Sequence, residues 1–267
     1  MADSVLYDVT DGLATITINR PEAMNAMNVD ATVALRDAVQ AAAADSAARA
    51  VLLTAAGGKA FCVGQDLKEH VSLLAADRES GSGETMSTVR DHYNPIVRAL
   101  TRMAKPVVAG VNGVAAGAGL GFALAADYRV VADTAKFTTS FAGVALTADS
   151  GVSWTLPRLI GQSRAADLLL FPRSFSAQEA FEWGIANRLV PADELAAEAA
   201  AVARALADGP TVAYAALKES MAYGADRSLS EALDKEEELQ AKAGASEDHA
   251  IAVQAFLSKE APKYLGR

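Results

Sequence analysis

Two hydrophobic patterns alternate along the first half of the chain. Around the turn Asp11-Gly12, the stretch 4–18 places Ala14, Ile16 and Ile18 on one face, which predicts a β-hairpin. Apolar positions then recur either at helical spacing or in short β-branched runs. They predict helices over 29–44, from Leu67 and over 91–104, and strands over 50–55, 107–111 and 128–132. This alternation predicts an α/β core.

Beyond residue 132 the pattern becomes mostly helical. Helices are predicted after Asp149-Ser150, Ser163 and Ser176, and Ser176 with Glu179 forms a capping box. A last short strand is predicted near 187–190. The sequence thus predicts an α/β core over 1–191 and a helical C-terminal region over 192–267. The tract 75–85, in which Gly and Ser alternate, predicts a flexible surface segment.

The stretch Lys105–Asp127, KPVVAGVNGVAAGAGLGFALAAD, predicts a buried strand, a tight turn at Asn112-Gly113 and a small-residue helix that ends near Asp127. Gly117, Ala118 and Gly119 open this helix, where backbone NH groups have no partner inside it. Small residues let another molecule approach those groups, so the helix start is a candidate oxyanion site. The alternative is that the glycines only allow the helix to pack closely on a sheet.

Composition narrows the classes of function. The net charge of −9 argues against a nucleic-acid partner. A dinucleotide motif starting at Gly117 would need glycine or alanine where Phe122 stands. A single cysteine, Cys62, and three dispersed histidines give no disulfide framework and no metal site. No apolar run approaches about 18 residues and no signal segment is evident, so a cytoplasmic location is expected.

Motifs spread over nearly the whole chain resemble the crotonase, or enoyl-CoA hydratase/isomerase, superfamily. They are NRPEAMNAM, KAFCVGQDLKE, KPVVAGVNGVAAGAG, RVVADTAKF, LPRLIG, SAQEAFEWGIANRLV and AFLSKEAPKY. The wider pattern is most similar to the epoxyphenylacetyl-CoA isomerase branch. The resemblance implies a core of repeated β-β-α units with a helical C-terminal trimerisation region. It also implies a homotrimer or hexamer acting on acyl-CoA thioesters with no separate cofactor, since coenzyme A is part of the substrate.

The resemblance places the binding residues in several separate segments. It implies that the backbone NH groups of Gln65 and Ala118 hold the thioester oxygen and stabilise an enolate. It further implies that a loop over 60–68 contacts coenzyme A and that Phe256 and Lys259 reach a neighbouring subunit's substrate. The implied substrate-binding residues are Ala60, Cys62, Gln65, Asp66, Leu67, Lys68, Gly117, Ala118, Gly121 and Phe141. For Lys68, a solvated side chain without a phosphate role is the alternative.

The chain departs from the pattern of a hydratase in this superfamily. Gly121 and Phe141 stand where such a hydratase has two glutamates, and neither can transfer a proton. Asp149 stands where isomerases and dehalogenases of the superfamily carry an aspartate. The resemblance therefore implies a double-bond isomerase with Asp149 as acid and base. A hydratase, a non-catalytic CoA-thioester-binding protein and a nucleophilic Asp149 remain alternatives.

Three further points stay open at the level of sequence. Asp149 can instead be the N-cap of the following helix. In an apolar pocket with Phe141 and Trp154, desolvation would raise the pKa of Asp149 and suit it to proton transfer. Phe141 can be a pocket wall or ordinary core. The segment 78–83 can border the acyl pocket or be a solvated loop.

Overall fold

The computed structural model describes residues 3–81 and 84–267. The described strands are β1 (Val5–Thr10), β2 (Leu13–Ile18), β3 (Ala50–Ala55), β4 (Ala60–Cys62), β5 (Val107–Val111), β6 (Val114–Ala116), β7 (Tyr128–Ala132), β8 (Lys136–Thr138), β9 (Phe175–Ser176) and β10 (Arg188–Val190). One sheet has the order β1-β2-β3-β5-β7-β10. β1 pairs antiparallel with β2, as the hairpin predicts, and the other pairs in this sheet are parallel.

A second sheet, with the order β4-β6-β8-β9, is absent from the sequence-based prediction. Its strands are only two or three residues long, too short for an alternating pattern to show. The expectation of a loop over 60–68 is therefore wrong at its start, where Ala60–Cys62 forms β4. The predicted step from turn directly to helix after Gly113 is wrong as well, because β6 lies between them. Both corrections matter because the second sheet carries the candidate site.

The described helices are α1 (Val29–Ala44), α2 (Leu67–Ser80), α3 (Asn94–Arg102), α4 (Ala118–Leu124), α5 (Val152–Ile160), α6 (Gln162–Leu170), α7 (Ala177–Glu182), α8 (Leu195–Ala207), α9 (Thr211–Gly224), α10 (Leu229–Gly244) and α11 (Glu247–Ser258). α1 has the predicted bounds, and α7 begins at the predicted capping box of Ser176 and Glu179. A π-helical turn, Val89–Tyr93, precedes α3 and overlaps the start of the region predicted as helix.

Several helix boundaries differ from the predictions. α2 continues to Ser80, so most of the tract predicted as flexible is helical up to Gly81, and residues 82 and 83 lie outside the described residues. α6 starts at Gln162, one residue before the predicted Ser163. α4 ends at Leu124. Asp127 lies beyond it, where its carboxylate accepts a hydrogen bond from the Val107 NH at 2.8 Å.

The core lies on both faces of the six-stranded sheet. Every residue of β5 is buried, and α8 packs against β3, β5 and β7. Gly110 permits this approach, since a Cβ there would lie 3.1 Å from the Ala199 Cβ. The predicted C-terminal region therefore begins with a helix that covers the core sheet.

α9, α10 and α11 follow, and the chain then returns to the core. The Arg49 guanidinium donates hydrogen bonds to the carbonyls of Gly209 at 2.6 Å and Tyr264 at 3.1 Å. Buried Asp248 accepts the NH groups of Leu265 and Gly266 at 2.6 and 2.9 Å. Within the described residues, no helix is both long enough and apolar enough to cross a membrane.

Candidate active site

The start of α4 and the loop before α2 lie directly against each other. Gly64 has φ +84°, and a Cβ there would lie 3.1 Å from the Ala116 carbonyl oxygen and 3.4 Å from the Ala118 nitrogen. Within residues 3–81 and 84–267, neither the Gln65 NH nor the Ala118 NH has a hydrogen-bond acceptor. Two unpaired donors therefore belong to segments that touch. This arrangement can bind one electronegative atom.

The glycines of α4 serve different purposes. Gly117, the N-cap, has φ 52° and ψ −123°, a conformation that favours glycine, and no atom lies closer to its missing Cβ than the Phe141 ring at 4.0 Å. A Cβ on Gly119 would collide with the Cys62 backbone, and one on Gly121 would lie 2.6 Å from the Ser150 carbonyl oxygen. The close-packing alternative is thus correct for Gly119 and Gly121. Only Gly117 leaves open space.

The motif NRPEAMNAM holds the Gln65 loop in place through its backbone. The Met27 NH donates to the Gly64 carbonyl at 2.8 Å, and the Asp66 NH donates to the Met27 carbonyl at 3.0 Å. These bonds flank Gln65 on both sides and leave its own NH free to point elsewhere. Asn25, with φ +55°, adds a bond from its side-chain amide to the Ala60 carbonyl at 2.8 Å.

An ion pair strengthens the same attachment. Two Arg20 guanidinium nitrogens each lie 3.1 Å from Asp66 Oδ2, and both side chains are largely buried. Burial raises the pKa of the Asp66 carboxyl, but the Arg20 hydrogen bond and further backbone bonds outweigh it, so that the pKa is lowered. We call Arg20 and Asp66 together the Arg20–Asp66 clamp. The clamp fixes the position of Asp66, the residue that directly follows Gln65.

The predicted coenzyme A loop divides into buried and exposed parts. Ala60 and Cys62 are buried in β4, and burial raises the pKa of the Cys62 thiol to about 12. Asp66 is the N-cap of α2, accepting the Lys68 NH at 3.2 Å. Leu67 and Lys68 are exposed. Beside this loop lies an open cavity of about 320 Å³, lined by Pro21, Glu22, Asn25 and residues 56–60.

Asp149 lies on a turn between the predicted pocket wall and α5. The N-cap of α5 is Gly151, with φ 76° and no side-chain cap, so the N-cap alternative for Asp149 is wrong. Its Oδ1 instead accepts a hydrogen bond from the Ser150 hydroxyl at 2.8 Å. Burial raises the pKa of the Asp149 carboxyl, and the Ser150 hydrogen bond opposes that rise. The side chain is half-buried, as proton transfer requires.

The turn with Asp149 packs on the same short helix as the two NH donors. Ser150 is 2% exposed and touches Gly121, which follows Ala118 by three residues. At about 1.5 Å per residue, that separation is roughly 4.5 Å along the helix axis. Phe141 is buried against Gly117 on the same helix. The structure thus brings Ala118, Gly121, Phe141 and the Asp149 turn together.

Some predicted neighbours lie elsewhere. Trp154 is 53% exposed and stacks under the Arg158 guanidinium, 3.9 Å from the ring centroid, so its expected place in an apolar pocket is wrong. Phe256 and Lys259 are exposed at the end of α11. Residues 78–80 end α2, while residues 82 and 83 of the predicted pocket border lie outside the described residues.

Sequence reasoning missed three residues that build the site: Arg20, Asn25 and Ser150. The first two belong to a motif that was used only to identify a resemblance, although its polar residues beside a tight turn signalled hydrogen bonding. Ser150 follows Asp149 directly, which is the sole local signal for it.

Comparison with known proteins agrees with the resemblance that the sequence motifs indicate. The sequence matches the family model described as enoyl-CoA hydratase/isomerase over residues 8–267. It is 37% identical to 1,2-epoxyphenylacetyl-CoA isomerase of Escherichia coli (strain K12) over 267 residues, which cover 100% of each chain. It is 32% identical to 4-chlorobenzoyl coenzyme A dehalogenase-2 of Arthrobacter sp. over 227 residues, 85% of this chain and 80% of that one.

A solved structure is also similar to this chain over nearly its whole length. A protein from Mycobacterium abscessus that is assigned to the enoyl-CoA hydratase/isomerases superimposes with a TM-score of 0.94 at 45% identity. The match covers 98% of this chain and 100% of that chain. The names of these relatives include different reactions on coenzyme A thioesters.

Proposed function

The chain belongs to the enoyl-CoA hydratase/isomerase family, and we propose that within it this enzyme moves a double bond along an unsaturated acyl-CoA. The Gln65 and Ala118 NH groups hold the thioester oxygen, and Asp149 transfers the proton. The observation that carries the proposal is the packing of the Asp149 turn on Gly121, one helical turn from the unpaired Ala118 NH.

The reaction divides into two proton transfers. The Asp149 carboxylate removes a proton from one carbon of the acyl chain, and the electron pair of the broken C–H bond delocalises into the thioester. The negative charge that develops on the thioester oxygen is stabilised by the two NH groups, each worth about 3–4 kcal/mol in the transition state. Protonated Asp149 then returns the proton to a different carbon, so the product is an isomer of the substrate.

The environment of Asp149 suits both steps. Burial raises the pKa of its carboxyl above the ordinary value, which makes the carboxylate a stronger base and still lets it release the proton again. Ser150 orients one carboxylate oxygen through the 2.8 Å hydrogen bond. The other oxygen accepts no hydrogen bond among the described residues, so it can face the substrate.

Hydration is the weaker alternative because the chain lacks both family glutamates. Gly121 has no room for a side chain against Ser150, and Phe141 is an apolar residue packed beside Gly117. Asp149 would have to activate water and deliver the proton by itself. Nucleophilic attack by Asp149, as in a dehalogenase, uses the same carboxylate and is distinguished by the product. A purely thioester-binding role would need no raised pKa at Asp149.

The test is turnover and binding by wild type and Asp149→Asn on 2-enoyl-, 3-enoyl-, 2,5-dienoyl- and arylacetyl-derived CoA thioesters. We expect wild type to form a double-bond isomer, and Asp149→Asn to lose about 100- to 10,000-fold in kcat with thioester affinity retained. Asp133→Asn, which changes an exposed aspartate after β7, is the matched control and keeps full activity. Full isomerase turnover by Asp149→Asn would refute the role of Asp149. A hydroxyacyl product, or binding with no turnover by wild type, would refute isomerisation.

We also propose that the enzyme assembles as a homotrimer or hexamer through the C-terminal helices. Several large apolar side chains of α9, α10 and α11 are more than half exposed in the single chain: Leu217, Met221, Leu229, Leu233, Phe256 and Leu257. A cavity of about 630 Å³ between α9 and α10 adds to this apolar surface and shares no lining residue with the candidate site. Light scattering that gives the mass of a monomer at micromolar concentration would contradict the assembly. The absence of a metal or redox cofactor and the cytoplasmic location stay predictions.

A further inference from the structure

Ser150 occupies a backbone conformation that glycine would adopt at a lower cost. Its φ is +49°, in the left-handed region that disfavours residues with a Cβ atom. The next residue, Gly151, also has a positive φ, 76°, and there the chain does use glycine. A serine that is kept at a strained and buried position has a side chain that contributes something in return. Within the part of the chain that the structure describes, its hydroxyl makes one hydrogen bond, to Asp149 Oδ1 at 2.8 Å.

The backbone of the Asp149 turn is held from three sides. Gly121 of α4 packs directly against it. Val97 of α3 lies against Gly151, where an added Cβ would be 3.5 Å from the Val97 Cγ1. In α5, the Thr155 NH and hydroxyl both donate hydrogen bonds to the Gly151 carbonyl, at 2.8 and 2.9 Å. The turn is therefore a rigid support, and rotation of the carboxylate about its own side-chain bonds is the freedom that remains.

The Ser150 hydroxyl restricts that rotation and makes the two carboxylate oxygens of Asp149 unequal. Oδ1 is held by the hydrogen bond, whereas Oδ2 accepts none within residues 3–81 and 84–267. Burial raises the pKa of the Asp149 carboxyl, and the Ser150 hydrogen bond opposes this rise because it stabilises the ionised form. The same bond therefore orients the carboxylate and favours its ionisation.

We propose that Ser150 is a positioning residue, whose hydroxyl anchors Asp149 Oδ1 so that Oδ2 alone removes the proton from the acyl chain and returns it. The inference rests on the proposed function for its reaction, and it assigns the proton transfer to one oxygen. The C–H bond breaks, its electron pair enters the thioester, and an Oδ2–H bond forms while Oδ1 keeps its hydrogen bond. The proton thus stays on the oxygen that faces the acyl chain. Without the hydroxyl, the protonated carboxyl can rotate and exchange its proton with water.

The test uses Ser150→Ala and Ser150→Gly, which both remove the hydroxyl. Ser150→Ala keeps the Cβ that packs on Gly121, whereas Ser150→Gly relieves the positive φ and provides a second variant if the first is unstable. Thr32→Val is the matched control for hydroxyl loss, because the buried Thr32 hydroxyl donates to the Asn28 carbonyl at 2.7 Å. Ala145→Gly is the control for backbone strain, since Ala145 also has a positive φ, 58°.

Three measurements follow the reaction of the unsaturated thioester that wild type turns over. We expect kcat to fall about tenfold in both Ser150 variants, with the Kd for the thioester unchanged, because the NH donors are not altered. The acid limb of the kcat/KM profile should move to higher pH by about one unit, as for the loss of a hydrogen bond to a charged group. With deuterium at the carbon that loses its proton, the fraction of label returned to the product should fall below that of wild type. Both controls should match wild type in all three measurements.

A fourth measurement needs no substrate. Urea unfolding of wild type, Ser150→Ala, Asp149→Ala and the double variant gives the coupling free energy between the two side chains. We expect a favourable coupling at pH 7 and a smaller one near pH 3, because the hydroxyl binds the ionised carboxylate more strongly than the protonated carboxyl.

Two results would overturn the proposal. One is wild-type kcat, pH profile and label return in the Ser150 variants. The other is a fall in kcat without coupling in the unfolding cycle, which would show that the serine supports the turn without holding the carboxylate. Failure of the isomerase proposal is a different result, full turnover by Asp149→Asn, and it leaves the unfolding cycle intact.

Discussion

Gly121→Ala tests whether the Asp149 turn depends on the missing side chain at this position. In the structure, the added methyl group would collide with the Ser150 side chain and lie 2.6 Å from the Ser150 carbonyl oxygen. Non-bonded heavy atoms pack at about 3.5–4.0 Å. The turn must therefore move by roughly 1 Å, and Ser150 is a buried residue, 2% exposed.

The displacement has two expected costs. Overpacking of a buried site lowers the free energy of unfolding by about 1–3 kcal/mol. A shift of about 1 Å in a catalytic group can lower turnover by roughly 100-fold. Since the NH donors are not in contact with the added methyl group, the affinity for a CoA thioester should change far less than kcat. Gly121→Glu, which restores a hydratase residue, should be destabilised further and gain no hydratase activity.

Urea unfolding gives the stability, and acyl-CoA kinetics give kcat and KM separately. Gly244→Ala is the matched control, because this glycine ends α10 and its missing Cβ has open space around it. That change should leave kcat unaltered and raise stability by at most about 1 kcal/mol. A Gly121→Ala protein with wild-type stability and wild-type kcat would refute the argument that Gly121 makes room for the Asp149 turn.

Two further predictions concern charged groups. Arg20→Met breaks the Arg20–Asp66 clamp, so the pKa of Asp66 should rise, stability should fall by about 1.5–3 kcal/mol, and kcat should fall about tenfold or more because the Gln65 donor loses its support. Arg90→Met removes the exposed Arg90–Asp91 ion pair and should change neither stability nor kcat. Equal kcat values for Arg20→Met and Arg90→Met would contradict the role of the clamp. Asp149→Asn should be more stable than wild type at pH 7 and equally stable near pH 3. Burial raises the folded-state pKa of Asp149, so ionisation begins to destabilise the wild type above the ordinary pKa of about 3.9 and does so fully above the raised value. Urea unfolding at several pH values measures this, and a constant difference across the range would show that the carboxylate's burial is not the cause.

The long elements could be predicted from sequence because their patterns are internally consistent. α1 has its apolar residues at helical spacing and Asn28 as a side-chain cap, and the predicted and observed bounds agree. The capping box at Ser176 behaves in the same way. The family match confirms the crotonase-type fold that the motifs implied. In these segments local preference and tertiary packing favour the same structure.

The second sheet could not be predicted, because its strands carry no local pattern of their own. β4, β6, β8 and β9 exist only because each pairs with a strand far away in sequence, and none is long enough to show a period. The same limit applies to Gly119 and Gly121. Glycine gives no local sign of whether it admits a ligand or a neighbouring backbone, and only the position of Cys62 and Ser150 decides it.

The site residues divide along a similar line. Gln65, Ala118 and Asp149 could be proposed from the sequence because each stands at a fixed place in a recognisable motif, and the structure packs the segments that carry them against α4. Arg20 could not, since its role lies in an ion pair with Asp66, and a contact between residues so far apart along the chain cannot be seen in a linear sequence. Trp154 shows the converse error, because an aromatic residue near a catalytic candidate in sequence turned outward on its helix.

The contact between Gly121 and Ser150 also bears on how such an enzyme can change its reaction over evolution. In the proposed reaction, the thioester is held by the start of α4 and by the loop around Gln65, which residues 20–27 support, whereas the proton-transferring group lies on a separate turn at 149–151. A side chain at position 121 and the present position of that turn exclude each other. A second acid in α4 therefore requires the turn to move as well. A change of reaction on an unchanged thioester-binding site would thus take more than one substitution in this chain.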